Sequence, residues 1–263
     1  MSHAAGDTSS GRTGGGLHNV KSVEKAFAVL EAFRDVGRSL SLSELVTLSG
    51  LDKSAVQRFT RTLRDVGYLR QNPKTRQYEL SAKVLDLSYS YLNSSELVAR
   101  AAPGLIKLRN TTNERVDLSF VDDTTLIYLF RIQSKQETIS AALIGRRVPI
   151  YCTAGGRAVL ARMPEDQARA LLDRSELTAH TARTLTDPDA IMEDVRKVRD
   201  RGFAVQADEW RIGEVVAAAA IVNHSGEPVG ALHIVGNTGE WTPEDFGRRM
   251  GSLVAIAAQD ASL

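Results

Sequence analysis

Apolar side chains recur at helical spacing from Val20 onward, and the pattern predicts short helices followed by a hairpin. Four apolar residues mark a first helix, predicted over residues 22–33: Val23, Phe27, Leu30 and Phe33. Ser41 and Glu44 match a capping box, in which each side chain satisfies a free backbone amide. A second helix is therefore predicted from Ser41 to Gly50, where glycine takes the left-handed terminal position at little cost.

A third helix is predicted from about Asp52 to Val66. Its apolar positions are spaced by three, four and three: Val56, Phe59, Leu63 and Val66. Segments 68–71 and 77–80 flank the turn-forming pair Asn72-Pro73, which predicts two short strands. The order of helix, helix, short turn, helix and small hairpin is that of a winged helix-turn-helix over residues 18–80.

The next segment, residues 81–97, is predicted to be a linker helix. Its apolar positions, spaced by four, three and four, form a seam suited to a partner helix: Leu80, Val84, Leu87 and Tyr91. Asn93-Ser94-Ser95 should interrupt the helix. A further helix is predicted over 96–108, where Pro103 introduces either a kink or a new helix start.

From residue 116 the apolar period becomes two, which predicts a hairpin turning at Asp122-Asp123. Further strands are predicted at 139–143, 203–207, 215–223 and 229–235, and helices at 153–163, 164–174, 188–201 and 243–259. Hairpins mixed with helices indicate an α+β domain with a mostly antiparallel sheet over residues 98–263. Residues 1–17, rich in Gly, Ser and Thr, are expected to form a flexible tail.

Composition narrows the classes of protein. The chain is 43% hydrophobic and 25% charged, as expected for a globular protein. No apolar run approaches the roughly 18 residues of a membrane-spanning helix. The N-terminal segment lacks the pattern of a secretory signal. Cys152 is the only cysteine, which excludes disulfides and cysteine-rich zinc sites and fits a reduced cytoplasm.

Charge is concentrated in one segment. The whole chain carries only +1, but residues 18–80 hold 11 Lys and Arg against 7 Asp and Glu. Between Lys53 and Arg76, seven basic residues face the single acid Asp65. Such a block is suited to a polyanion, although a solvated helix face is an equally good interpretation of charge alone.

The side chains of the third helix suit DNA. Arginine pairs with guanine and glutamine with adenine in the major groove, and a helix N-terminus attracts phosphate. Thr60 and Arg64 are expected on the same polar face, and the hairpin tip should touch the neighbouring backbone. The candidate DNA-contact residues are Ser43, Lys53, Ser54, Gln57, Arg58, Arg61, Lys74 and Arg76. The alternative is a helical hairpin that only dimerises.

Several segments resemble IclR-family bacterial transcriptional regulators. The resemblance in the winged helix lies in residues 20–26 (VKSVEKA), 50–58 (GLDKSAVQR) and 67–69 (GYL). It continues at residues 145–149 (GRRVP), 154–161 (AGGRAVLA), 201–203 (RGF), 208–209 (DE), 219–221 (AAI) and 230–234 (GALHI). It implies a C-terminal GAF-like effector domain, and dimers or tetramers bound to palindromic operators. Within the family, the sequence is similar to regulators of aromatic-acid breakdown.

The resemblance also implies an effector site. Its residues here would be Thr153, Ala154, Gly155, Gln206, Asp208, Val216, His233 and Val235. Gln206 occupies a position that is often acidic in the family, and His233 one that often carries a small hydroxyl residue. A helix start made of small residues could bring free amides to a carboxylate, or could simply allow tight packing.

Enzyme chemistry has weaker support. Cys152 could be a nucleophile if a histidine lay within reach, but a lone cysteine at a strand–helix junction is usually a buried apolar residue. Asp208-Glu209 could bind a metal or act as an acid/base pair, yet no metal-ligand spacing surrounds them. Glycines 14–16 lack the preceding strand and the following helix that a phosphate-binding loop requires. We therefore expect a DNA-binding regulator controlled by a small, aromatic carboxylate, with no catalytic residue, metal or cofactor. The alternative is a GAF-like enzyme or signalling module with a degenerate helix-turn-helix.

Overall fold

The computed structural model describes residues 19–34, 36–134 and 144–262, in two structural units that meet between Tyr89 and Ser90. That boundary falls inside the predicted linker at 81–97. The expected tail at 1–17 and the strand expected at 139–143 lie outside the described residues.

The first unit has the predicted winged helix-turn-helix order. Its elements are α1 (Lys21–Glu31), α2 (Leu42–Ser49), α3 (Lys53–Asp65), β1 (Leu69–Gln71) and β2 (Tyr78–Leu80). Ser41 and Glu44 form both bonds of the capping box, and Gly50 ends α2 with φ +67°. Asp52 caps α3 through Ala55 N at 2.8 Å. These local signals explain why the sequence located the helices correctly.

Two side-chain placements in this unit differ from the sequence prediction. Thr60 is buried rather than exposed, because its hydroxyl donates to Val56 O at 2.8 Å inside α3. Val23 and Phe27 are 51% and 55% exposed, while Val29 and Phe33 supply the buried side of the first helical segment. The apolar stripe of α1 is therefore only partly used by the core of its own unit.

The helices that follow run further than expected. Asn93 and Ser94 continue α4 (Val84–Ser94), and Ser95 caps α5 (Glu96–Thr112). Pro103 lies inside α5, with no new helix start. None of the residues of α4 is buried.

The second unit is built on one antiparallel sheet of order β5-β4-β3-β8-β7-β6. Its strands are β3 (Arg115–Asp122), β4 (Thr125–Ile132), β5 (Arg147–Pro149), β6 (Ala204–Ala207), β7 (Glu214–Val222) and β8 (Pro228–Asn237). The sequence did not predict β5. The remaining helices are α6 (Ala154–Leu160), α7 (Glu165–Asp173), α8 (Pro188–Arg201) and α9 (Pro243–Asp260).

The two faces of this sheet carry different helices. Leu232 and Ile234 of β8 face the core formed with α5 and α9. Ala231 faces the opposite core, which contains α6, α7 and α8. This alternation follows from the period of two along a strand, and it directs His233 toward α6.

Candidate DNA interface and effector cavity

The outer face of α3 carries exposed cations without acid partners. The candidate residues Lys53, Ser54, Gln57, Arg58 and Arg61 are all exposed. No ion pair involves Lys53, Arg58 or Arg61 among the described residues. Their charges are therefore available to an anionic partner such as a DNA backbone.

The hairpin after α3 is held in place by polar contacts. Asn72 Oδ1 accepts from Lys74 N at 2.9 Å and Thr75 N at 3.2 Å, which shapes the tip. Gln71 accepts from Arg64 at 2.8 Å and donates to the carbonyl of Arg76 at 2.8 Å. Arg64 thus serves to brace the hairpin against α3, and the side chains of Lys74 and Arg76 stay exposed.

Four of the candidate residues line one surface groove. Ser43, Lys53, Gln57 and Arg76 border this groove of about 700 Å³ between α2, α3 and the hairpin. The remaining four, Ser54, Arg58, Arg61 and Lys74, are not part of its lining. The groove is also lined by Thr47, Gln71 and Thr75, which were not among the DNA-contact residues predicted from the sequence.

In the second unit, strand register brings distant residues into one row. Gln206 on β6 pairs with Val216 on β7, and Val216 pairs with Val235 on β8. Val235 pairs in turn with Arg115 on β3. A neighbouring row carries His233. Side chains directly opposite one another share a face of the sheet.

These rows and the start of α6 enclose a small cavity of about 30 Å³. Its lining residues are Arg115, Tyr128, Cys152, Thr153, Ala154, Gln206, Glu209, Trp210, Arg211, Glu214, Val216, His233 and Val235. A cavity of this volume holds about two water molecules. A larger ligand would have to displace part of the wall.

Six of the eight effector candidates line this cavity, and two do not. Asp208 has φ +60° and its carboxylate accepts from Gly213 N at 2.7 Å, so it shapes the turn between β6 and β7. Gly155 lies against the ring of His233: a Cβ there would be 2.1 Å from His233 Cε1. The glycine accommodates the imidazole, which supports the tight-packing interpretation of this helix start.

His233 is a buried, neutral residue at ordinary pH. Its Nε2 and Ser119 Oγ are hydrogen-bonded at 2.8 Å, and the Tyr128 ring lies 5.6 Å from its centroid. Burial lowers the pKa of His233 to about 4, although Asp117 opposes the shift. Burial also raises the pKa of Tyr128, so its hydroxyl stays protonated. The imidazole therefore offers hydrogen bonds rather than a positive charge.

The Gln206 amide stands out among the polar groups of the wall. The residue is 7% exposed, and neither its Oε1 nor its Nε2 has a hydrogen-bond partner among the described residues. Most buried amides are satisfied, so an unsatisfied one calls for an explanation.

The charges nearest the cavity are largely compensated. Arg131 makes two hydrogen bonds to Asp117, at 2.7 and 2.8 Å, and Arg115 contacts Asp117 at 3.3 Å and Glu214 at 3.0 Å. Arg211 lies 3.5 Å from Glu214. Arg115 and Glu214 were not predicted from the sequence to belong to the effector site. Each is a charged residue directly before a predicted strand, and that position could have indicated them.

Cys152 does not have the setting of a nucleophile. It is fully buried, and burial raises the pKa of its thiol to about 12. His233 also lines the cavity, but with a pKa near 4 it is a poor base at neutral pH. Within the described ranges, no cluster of three His, Cys, Asp or Glu could hold a metal ion. No helix in those ranges is long and apolar enough to cross a membrane.

Comparison with known proteins assigns each of the two units to a protein family. Residues 22–73 match the family described as the IclR helix-turn-helix domain, and residues 89–263 match the bacterial transcriptional regulator IclR C-terminal family. The Pca regulon regulatory protein of Pseudomonas putida is 30% identical over 91% of this chain and 82% of its own length.

Solved structures show the same architecture. An IclR transcriptional regulator from Alicyclobacillus acidocaldarius is 25% identical with a TM-score of 0.81, over 93% of this chain and 98% of its own. An IclR homologue from Microbacterium hydrocarbonoxydans, complexed with 4-hydroxybenzoate, is 19% identical with a TM-score of 0.74, over 92% and 97% of the two chains. The chain belongs to the IclR family of bacterial transcriptional regulators, with an N-terminal DNA-binding helix-turn-helix and a C-terminal effector domain.

Proposed function

We propose that the protein binds a palindromic operator as a homo-oligomer, and that a small aromatic carboxylate in the second unit controls this binding. The observation that carries the proposal is the exposed face of α3, where Lys53, Arg58 and Arg61 have no acid partner among the described residues. Gln57 and Arg58 read base edges, while Lys74 and Arg76 contact the backbone beside the groove. The site of action is the bacterial cytoplasm, where the DNA is.

Exposed apolar side chains on α4 support the oligomer. Leu87 and Tyr91, two members of the predicted seam, are 58% and 48% exposed, and Leu85 and Tyr89 are more exposed still. Large apolar groups on one helix indicate a protein contact. Pairing two subunits here would present two recognition helices to half-sites about 34 Å apart.

A carboxylate is supported by the relatives and by one backbone amide in the cavity wall. Thr153 Oγ1 accepts from Gly156 N, so the amide of Ala154 has no partner inside α6, and Ala154 lines the cavity. Gly155 is covered by the His233 ring and takes no part in this contact. The homologue bound to 4-hydroxybenzoate and the Pca regulon relative favour the aromatic class.

Arg58→Ala tests the DNA half of the proposal. An operator is first selected from random duplexes with the full-length protein, and affinity is then measured by fluorescence anisotropy over a range of salt. We expect Arg58→Ala to weaken binding by about 1–3 kcal/mol if the arginine contacts a base. Arg34→Ala is the matched control, because Arg34 is exposed, lies outside α3 and already pairs with Glu31. Unchanged operator affinity in a folded Arg58→Ala protein would refute the assignment.

The effector half is tested with a panel of benzoates, beginning with 4-hydroxybenzoate. A ligand at about 100 times its dissociation constant should stabilise the protein by about 2.7 kcal/mol and change operator affinity. Stabilisation without any change at the operator would contradict control by that ligand.

A further inference from the structure

The unsatisfied amide of Gln206 indicates what part of a ligand meets it. Two other polar groups of the wall already have partners: His233 with Ser119, and Glu209 with Arg157 at 3.3 Å and with Leu185 N at 3.2 Å. Gln206 alone places both an acceptor, Oε1, and a donor, Nε2, in the wall with neither bond made among the described residues. Because a buried amide without partners is destabilising, a ligand that makes both bonds gains the most here.

The geometry of the Gln206 amide defines which ligand group can form both hydrogen bonds with it. The carbonyl oxygen and the NH2 group lie side by side in one plane, so the matching edge carries a donor beside an acceptor. A carboxamide, a lactam or an undissociated carboxyl group has this edge. An ionised carboxylate has only acceptors, so it could accept from Nε2 but would place its negative charge near Oε1.

We propose that Gln206 recognises a neutral, planar donor–acceptor group of the effector, of which a carboxamide is the simplest form. The inference rests on the proposed function, because it takes this cavity as the effector site. It adds a second recognition element to the aromatic carboxylate of the proposed function. The effector is then bifunctional, and a plain aromatic acid lacks half of the required contacts.

Fragments of only four heavy atoms, which require little displacement of the cavity wall, provide the test. Melting temperatures of the full chain are measured in matched millimolar series of acetamide and of sodium acetate. The proteins are wild type, Gln206→Met, and Gln259→Met, which makes the same substitution at an exposed glutamine outside this cavity. Subtracting the change seen for Gln206→Met removes the general solvent effect of each additive.

After this subtraction, we expect acetamide to raise the melting temperature of wild type and of Gln259→Met. The rise is about 3–6 °C at ten times the dissociation constant. Acetate should produce a smaller rise. Without additive, Gln206→Met should melt no lower than wild type, because methionine fills similar space without an unsatisfied polar group.

Three results would overturn the inference: acetate matching acetamide, no difference between wild type and Gln206→Met in acetamide, or a marked loss of stability in Gln206→Met without additive. Operator binding by wild type is measured separately. If the protein binds its operator but shows no acetamide preference, the inference fails and the DNA-binding proposal stands. If the protein prefers acetamide but does not bind a specific operator, the inference about Gln206 stands and the DNA-binding proposal fails.

Discussion

Replacing Gly155 with alanine tests whether the start of α6 is closed by His233. The new Cβ would lie 2.1 Å from His233 Cε1, 2.9 Å from Nε2 and 3.0 Å from Nδ1. Carbon atoms in ordinary contact are about 3.5–4.0 Å apart, so the overlap is about 1.5 Å. The ring has little room to retreat, because it bonds Ser119 at 2.8 Å and packs beside Tyr128.

The expected cost of Gly155→Ala is about 3 kcal/mol, the upper end of the usual range for overpacking. For a domain of this size it lowers the melting temperature by about 6–12 °C. His233→Ala on its own should cost about 1–3 kcal/mol, since the buried Ser119 hydroxyl loses its 2.8 Å bond and keeps only the long contact to Ala231 O at 3.5 Å. In the double variant the new methyl group occupies space that the ring has left. The double variant should therefore be about 2–3 kcal/mol more stable than the sum of the single effects.

Gly156→Ala is the control for this cycle. Its Cβ would lie 1.8 Å from the carbonyl oxygen of Ile150, a backbone atom that His233→Ala does not move. Combining Gly156→Ala with His233→Ala should therefore give additive losses in urea unfolding. If Gly155→Ala is as stable as wild type, or if His233→Ala gives no relief, the imidazole does not fill this space. The small residues at the start of α6 would then be open to a ligand, as the alternative interpretation of the sequence had it.

Three other predictions concern the same chain. Because burial lowers the pKa of His233 to about 4 against about 6.5 when unfolded, its contribution to stability is complete above pH 6.5 and is lost as pH falls toward 4. Urea unfolding should show about 2 kcal/mol less stability at pH 5 than at pH 7 from this group, and an equal pH dependence in His233→Gln would contradict the cause. Leu87→Glu should dissociate the oligomer in light scattering while Ser88→Glu, at an exposed neighbouring position, does not; an unchanged assembly in Leu87→Glu would exclude the α4 seam. Cys152 should resist alkylation at pH 7.5 until the protein unfolds, and Cys152→Ser should keep operator binding and effector response, whereas rapid labelling of the native protein would revive the enzyme interpretation.

The first unit was predictable because its signals are local. The Ser41–Glu44 box, the glycine at 50 and the spacing along α3 each act within a few residues, so no knowledge of tertiary contacts was needed. The prediction was wrong where a polar side chain found a partner inside its own helix. Thr60 has a polar side chain, yet its hydroxyl donates a hydrogen bond to a backbone carbonyl of α3, so the residue can pack into the core.

The wall of the cavity could be predicted only in part. The resemblance to a family supplied Gln206, Val216 and His233, but the periodicity of strands does not say which strands pair. Arg115 enters the wall because it is in register with Val235, 120 positions along the chain, and Glu214 because it pairs with that arginine. The composition of the α6 start suggested access for a ligand, whereas the structure shows an imidazole against Gly155.

Arginine has two roles in this protein, and partners distinguish them where composition does not. Arg157 is fully buried and contacts Asp194 at 2.6 Å and Glu209 at 3.3 Å, so it ties α6 to α8 and to the cavity wall. Removing both acids would leave the buried guanidinium without a counter-charge and cost about 3–5 kcal/mol of folding stability. Arg58 is exposed with no acid partner among the described residues, so its loss should change the free energy of unfolding by less than about 0.5 kcal/mol. A chain with nearly equal numbers of bases and acids can therefore still present a basic surface, because its buried arginines are neutralised locally and those on α3 are not.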